Sequence, residues 1–456
     1  MPKGKIVRSF LLTITASGLF FLFSFSLAKI LGAAEYGEIV YYLSFVNIIV
    51  IATGLNHPSL YMGSKIIDSN DNTFSLFFTY HLILFTLLSP PLYYLLLWFV
   101  EDSSIVALIL LIAFFTVILK SAALEYNSNK DVENSIKIAT LYPRVLLIVL
   151  FGGAIVLHVN TPTIYLLSFL LATLFFFLVV LARFKPKLYL QGSLAKRAWK
   201  FYVLGIVGTT FGHLAQIAQK HFGGYEQVGT LAVVLLFFAG LGLINDLLVK
   251  FILPAMHQHY KEHQLKKIAQ LYQSNTLLVT LLIAPLLLFL TFYIHAVANL
   301  LGSGYSFLPL YFYVLVGGYS FDLLTGITGN ILRTTGHEKL EIYNELARLS
   351  VGILSLYVLQ NNDYSVVVAI LLSTLVYNLL KLFEVYYLFK FLPFSAKKLG
   401  GIVVFLSLLG GLHYCFLHFY SSHICYTLEL LLFVGTYLAV YKYITANKTL
   451  LKGYLL

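Results

Sequence analysis

The stretch VRSFLLTITASGLFFLFSFSLAKILGAAEYGEIVYYLSFVNIIVIATGLNHPSLYM, residues 7–62, decides the architecture: two long apolar runs meet in Lys29-Ile-Leu-Gly-Ala-Ala-Glu-Tyr-Gly37 with almost no polar spacer between them. A bilayer core takes about 20 consecutive apolar residues as helix, so 7–31 and 36–62 each read as one span. The pattern continues along the chain, with further spans at 74–99, 104–124, 138–158, 161–182, 201–219, 227–249, 271–294, 305–330, 340–359, 364–389, 399–418 and 424–441. With 59% hydrophobic and 11% charged residues among 456, the chain is not a soluble globule, whose charged share is about a quarter. It is an all-α polytopic membrane protein of about fourteen transmembrane helices.

The Lys and Arg fall in alternate connectors. Twenty-five sit at the termini and in the even-side connectors, from Lys3, Lys5 and Arg8 through Lys120, Lys137 and Arg183 to Lys448 and Lys452, whereas the opposite connectors hold Lys220 alone. Short loops rich in Lys and Arg stay cytoplasmic, which places both termini inside. The net charge of +11 therefore describes loops and their attraction to anionic headgroups. No basic domain is present to hold a nucleic acid. The first apolar segment lacks a small-residue cleavage site and outruns a signal-peptide core, so it persists as the first helix.

No connector is long enough to form a domain. The most basic one, Arg183 to Lys200, contains Pro186 and Gly192, features of a surface linker. The expected organisation is a six-helix N-terminal lobe at 1–185, a cytoplasmic linker at 186–200, a second six-helix lobe at 201–392, and an appended two-helix hairpin with a cytoplasmic tail at 393–456. An internal repeat supports the division: Lys29, Gly32, Glu35 and Gly37 are answered by Lys220, Gly223, Glu226 and Gly229, the last displaced by one residue. Each run closes one helix and opens the next, and because six is even the two halves repeat in parallel. Cys415 and Cys425 flank the outward turn of the hairpin, where they are either a disulfide pair or two small apolar residues facing lipid.

The run Leu27-Ala-Lys-Ile-Leu-Gly-Ala-Ala-Glu-Tyr-Gly37, with its following helix ending in Gly54-Leu55, resembles the opening of the polysaccharide-transport (Wzx-like) flippases of the multidrug/oligosaccharidyl-lipid/polysaccharide exporter superfamily. Val228-Gly229 with Pro254 downstream, and Ile331-Leu-Arg-Thr-Thr-Gly-His-Glu-Lys339, are similar to later signatures of that family. Many members carry an acidic and basic pair within helix 7, where this chain reads Ala215-Gln216. The resemblance implies two pseudo-symmetric lobes around a central cavity, lined mainly by helices 1, 2, 7 and 8 and opening alternately to each side. It implies a substrate, an oligosaccharide on a polyprenyl pyrophosphate, moved from the cytoplasmic to the periplasmic leaflet of the bacterial inner membrane. It also implies a groove for the lipid tail at the appended hairpin, and admits other polysaccharide-assembly proteins as partners.

Ionisable groups at membrane depth cost several kcal/mol by most scales, so each is a candidate site. They are Lys29, Glu38, His81, Arg144, His213, Lys220, Asp246, Asp322, Glu345 with Arg348, and Lys381 with Glu384. The last four form i,i+3 pairs able to neutralise each other. A pyrophosphate needs fixed cations, which makes Lys29, Lys220, Arg144 and His213 the candidate headgroup-binding set. For Lys29 and Lys220 snorkelling to the interface is the competing reading. Asp246, beside Asn245, is the candidate coupling-ion residue, or else half of a polar pair bonded to a neighbouring helix.

His257-Gln-His259-Tyr-Lys-Glu-His263 has metal-like spacing, but Lys261, Lys266 and Lys267 surround it, and a solvated helical face is expected, with no metal. No G-x-x-x-x-G-K-[ST] is present, so an ATP site is excluded and no cofactor is called for. The absence of a large periplasmic loop argues against a membrane enzyme such as a polysaccharide polymerase or ligase. A multidrug or cation antiporter of the same superfamily is the nearer alternative.

Overall fold

In hydrocarbon every peptide N–H and C=O needs an internal partner, and a helix supplies them all within one segment. A computed structural model describes residues 3–54, 61, 72–129, 131–190, 192–359, 362, 364–394, 396–419 and 422–446, though not every side chain within those helices. The elements are α1 (Lys3–Thr53), α2 (Thr73–Leu97), α3 (Ser103–Ser128), α4 (Val132–Val156), α5 (Pro162–Phe184), α6 (Gly192–Lys261), α7 (Leu265–Leu301), α8 (Leu308–Thr325), the short α9 (Thr328–Thr334), α10 (Glu338–Val358), α11 (Ser365–Phe389), α12 (Ala396–Phe419) and α13 (Ser422–Ala446). There is no strand among the described residues. Among those same residues, nine helices are long and apolar enough to cross a membrane.

Two helices are too long for one crossing. α1 has 51 residues and α6 has 70, whereas about 20 span the hydrocarbon. Each breaks at one glycine, Gly32 (φ 76°, ψ 174°) and Gly224 (φ 74°, ψ −176°), a backbone region essentially closed to residues with a Cβ. Across the first break Tyr36 comes back to Ser24, twelve residues that a straight helix would separate by about 18 Å. Across the second, Gln219 donates to Gln227 at 2.6 Å. The connectors expected between the first two spans, and between 219 and 227, are therefore single-residue reversals, which leaves almost no peptide group without a helical partner.

Other connectors are shorter than the sequence reading. α3 runs to Ser128 and α4 starts at Val132, so Lys120, expected in a cytoplasmic connector, lies inside α3. The basic segment 186–200 is helical from Gly192 onward, and His257 and His259 belong to the last turns of α6. The side chains of Cys415 and Cys425 lie outside those described.

α4 contains a π turn at Lys137–Leu141, closed by the Tyr142 N–H on the Lys137 carbonyl. Pro143 follows it; its ring would meet the carbonyl four residues earlier in a regular helix, and the wider turn relieves that crowding. His81 of α2 turns out to be structural. Its buried ring contacts the Ser121 hydroxyl at 2.7 Å through Nε2 and the Thr53 carbonyl at 3.2 Å through Nδ1, tying α1 to α3.

By packing, the chain divides into two compact units, 1–233 and 234–456. Within the first, Phe74, Ile118, Ala122, Ile138 and Val180 join α2 to α5. Within the second, Ile252, Tyr272, Ile331 and Val385 join α6, α7, α9 and α11. Large side chains such as Leu87, Val149, Phe175 and Leu354 point outward, which in water would form an aggregating surface. Lipid tails cover them.

If the reversals depend on glycine, Gly32→Ala and Gly224→Ala should each destabilise by about 1–3 kcal/mol. Gly18→Ala, in open space within the α1 helix, should be neutral or slightly stabilising. Thermal unfolding in detergent would compare them; equal midpoints for all three variants would contradict the hairpin geometry.

Candidate functional site

The second arm of α1 and the first arm of α6 pack antiparallel. The Tyr202 hydroxyl donates to the Ala52 carbonyl at one end, and Ser44 donates to Gln216 Oε1 at 2.5 Å midway. At the break end Gly37 lies against the Tyr225 carbonyl and the Gly229 amide, while Gly229 lies against the Ala33 carbonyl. Small residues let backbones cross this closely. A Cβ on either glycine would collide with backbone rather than with a movable side chain.

The repeated runs thus touch one another, and their register differs from the sequence reading. Gly32 and Gly224 share one backbone conformation and stand 192 residues apart, as do Gly37 and Gly229. Lys29 and Lys220, 191 apart, are out of step, so Lys220 corresponds to Ala28, and Lys29 to His221. The backbone conformation, not the lysine, is what recurs.

Lys220 sits over the rings of Tyr41 (5.7 Å to the centroid) and Tyr225 (5.6 Å), which pack edge to face. The Tyr41 hydroxyl donates to the Phe99 carbonyl at 3.1 Å, and Tyr42 donates to Glu38 Oε1 at 2.7 Å. The ring quadrupoles attract an ammonium held over aromatic faces. His213, two turns earlier on the same face of α6, bonds Gln216 and lies within electrostatic range of Lys120. Lys120 stays exposed although it is inside an apolar helix. No signal at the level of loop charge separated it from connector lysines; its place within a helix does.

Arg144 is half-buried against the first arm of α1, donating to the Ala16 carbonyl at 3.5 Å and stacking on Phe20 at 4.2 Å. Lys29 is exposed near the break of α1. Ala16 and Phe20 lie 13 and 9 residues before it, about 14–20 Å along the helix. Lys220 and His213 therefore share one face of α6, with Lys120 in range of His213, while Arg144 and Lys29 stand well apart along α1. Asp246 belongs to the other unit. It is exposed, and with Asp322 it acts on Tyr319 of α8.

The second unit holds a buried charge network that the sequence reading saw only in part. Arg333 pairs with Glu341 at 2.8 Å, and the Tyr377 hydroxyl donates to the same Oε1 at 2.9 Å. Glu341 is 1% exposed. The expected Glu345–Arg348 pair forms at 3.5 Å. The expected Lys381–Glu384 pair interacts through space without direct contact: Lys381 turns onto the Tyr377 ring at 3.8 Å, in the field of Asp322, Glu341 and Glu345, and Glu384 accepts from Asn344 at 2.6 Å. A cation between two helices is drawn toward the richer set of acids across the groove as well as the one on its own helix. The missed members, Glu341 and Tyr377, continue polar stripes at helical spacing, Glu341–Asn344–Arg348 on α10 and Tyr377–Lys381–Glu384 on α11. Among the described residues no three His, Cys, Asp or Glu converge as metal ligands.

No family model and no curated protein matches the sequence. Solved structures do match. A lipid II flippase, MurJ, in an inward closed conformation superposes with a TM-score of 0.69 over 97% of this chain and 99% of that one, at 14% identity. The fold is that of MurJ and the MATE transporters. An inward-facing multidrug resistance MATE transporter of the MOP superfamily matches at 0.61 over 81% of this chain and 93% of its own, at 13% identity. The MATE multidrug transporter DinF-BH, in a ligand complex, matches at 0.60 over 85% of this chain and 96% of its own, at 16% identity. These neighbours are transporters and flippases, not enzymes.

Glu341→Ala should lower stability by roughly 2–3 kcal/mol, because it strands the Tyr377 hydroxyl and the buried Lys381 while Arg333, 43% exposed, regains water. Glu338→Ala, exposed one turn earlier, should stay within about 0.5 kcal/mol. Chemical or thermal unfolding of the two variants reads the difference directly.

Proposed function

We propose that this protein is a flippase that moves a polyprenyl-pyrophosphate-linked oligosaccharide from the cytoplasmic to the periplasmic leaflet of a bacterial inner membrane by alternating access. The observation that carries the reading is the pair of cations Lys220 and Lys120, set inside apolar helices with His213 in reach of Lys120 and tyrosines around Lys220. A pyrophosphate is recognised by such fixed charge. The near-complete mutual coverage with MurJ supports it. The MATE matches cover 81% and 85% of this chain, and the segment 393–456, the proposed appended hairpin and tail, would account for most of the difference.

In this reading both termini are cytoplasmic and the lobes 1–185 and 201–392 rock about the 186–200 segment. The headgroup engages Lys220 and His213, with Lys29 and Arg144 attracting it from either end. Asp246 answers a coupling ion. The Gly37–Gly229 crossing closes the outward end and must part for release. A multidrug or cation antiporter is the second reading, favoured by the exposed Asp246 close to Tyr319 and Asp322, since a cationic drug needs acids.

Depletion of the protein should raise one complete lipid-linked oligosaccharide on the cytoplasmic face, measured by extraction and leaflet-specific labelling. Single repeat units accumulating on the periplasmic face would indicate a polymerase, and an unchanged lipid pool would favour the drug exporter. In the same assay Lys220→Ala should reduce flipping at least tenfold, and full transport by that variant would remove the proposed headgroup role.

The crossing makes a separate prediction. Gly229→Leu should hold the outward end apart, so that a cysteine placed at Ala33 reacts with an impermeant thiol reagent from the periplasmic side. The same cysteine beside the native Gly229 should react many times more slowly.

A further inference from the structure

A cavity of about 170 Å³ opens at the end of the first unit where α3 finishes, α4 begins and α5 finishes. Its lining combines two cations, Lys137 and Arg183, with Tyr126, Tyr142, Phe176 and Val180. Flippase chemistry uses none of these, and they lie on the periphery of a lobe, beside outward-facing Phe175, Leu178 and Val179.

The cavity is built by the π turn. An α-helix stacks residue i over i+4, but the Tyr142 N–H bonds the Lys137 carbonyl five residues back, so Lys137 and Tyr142 come to the same face. The extra residue widens the helix where the cavity sits, as π turns at functional positions do. On the far wall the Arg183 guanidinium lies 5.1 Å from the Tyr126 ring centroid, over its face, which fixes the direction of its donors before anything binds. Neither cation forms an ion pair among the described residues. The adjacent carboxylate, Asp131, is occupied in capping α4: it accepts from the Asn134 amide N–H at 3.3 Å and from its side chain at 2.7 Å.

We propose that this cavity binds the phosphodiester headgroup of an anionic phospholipid from the leaflet at that end of the molecule, with an acyl chain lying along Phe176 and Val179. The charge, the aromatic collar and the lipid-facing apolar wall suit a lipid. A free phosphate would use the two cations and leave the apolar wall without an occupant. Basic pockets between transmembrane helices on the cytoplasmic side bind anionic headgroups for the same reason. The site is independent of the transport reading, and its test involves no transport.

Full-length protein, purified and delipidated in detergent, would be titrated with phosphatidylglycerol or with phosphatidylcholine of the same chains, and retained lipid counted by native mass spectrometry. One phosphatidylglycerol should be held in preference to phosphatidylcholine, and the Lys137→Gln/Arg183→Gln double variant should weaken that first adduct about tenfold or more. Lys185→Gln/Lys187→Gln, which removes exposed cations at the same end but outside the cavity lining, should retain the preference. Arg183→Lys, keeping the charge, should fall between them and provides a second variant if the double one fails to fold. Equal retention of both lipids by the native chain would overturn the site. So would an unaffected double variant, an equal loss in the Lys185/Lys187 variant, or displacement of the lipid by millimolar inorganic phosphate.

Discussion

A peptide group left without a hydrogen-bond partner in hydrocarbon costs several kcal/mol, and the structure is arranged around avoiding that cost. Helices extend past the sequence limits of their apolar runs, and α1 and α6 each turn back on a single glycine. The residue type at these points is dictated by φ near +75° combined with an extended ψ, which leaves no room for a Cβ. Both reversals have the same backbone form. Gly37 and Gly229 approach to backbone contact.

The placement of charge follows from the same solvent. Surface salt bridges contribute little in water, but a lone charge in an apolar helix must find a partner or an aqueous cavity. The second unit takes the first course: Arg333, Glu341, Tyr377 and Lys381 neutralise one another between α9, α10 and α11. The first takes the other, with Lys220 over tyrosine rings and Lys120 exposed near His213.

The comparison with solved structures rests on shape alone at 13–16% identity. Lipid-facing positions accept any large apolar residue, so a shared shape needs little shared sequence.

Much was legible from the chain alone. Apolar run length gave most of the long helices their approximate place, since burial of a helical span in lipid is a local property read off about 20 consecutive residues, though the expected span 305–330 breaks at Gly326 into two helices. The i,i+3 spacing of Glu345 and Arg348 was enough to pair them, because both sit on one helix. What the sequence could not decide depended on neighbours. It placed Lys120 in a connector, set the repeat one residue out of register, and gave Lys381 only Glu384 as partner, missing the acids of the neighbouring helices. Those outcomes turn on how far a helix extends, on a backbone dihedral, and on which acid lies across a helix–helix groove. The same holds for the cation faces and for the cavity at the π turn: periodicity says which residues share a face of one helix, and only tertiary packing says what that face meets.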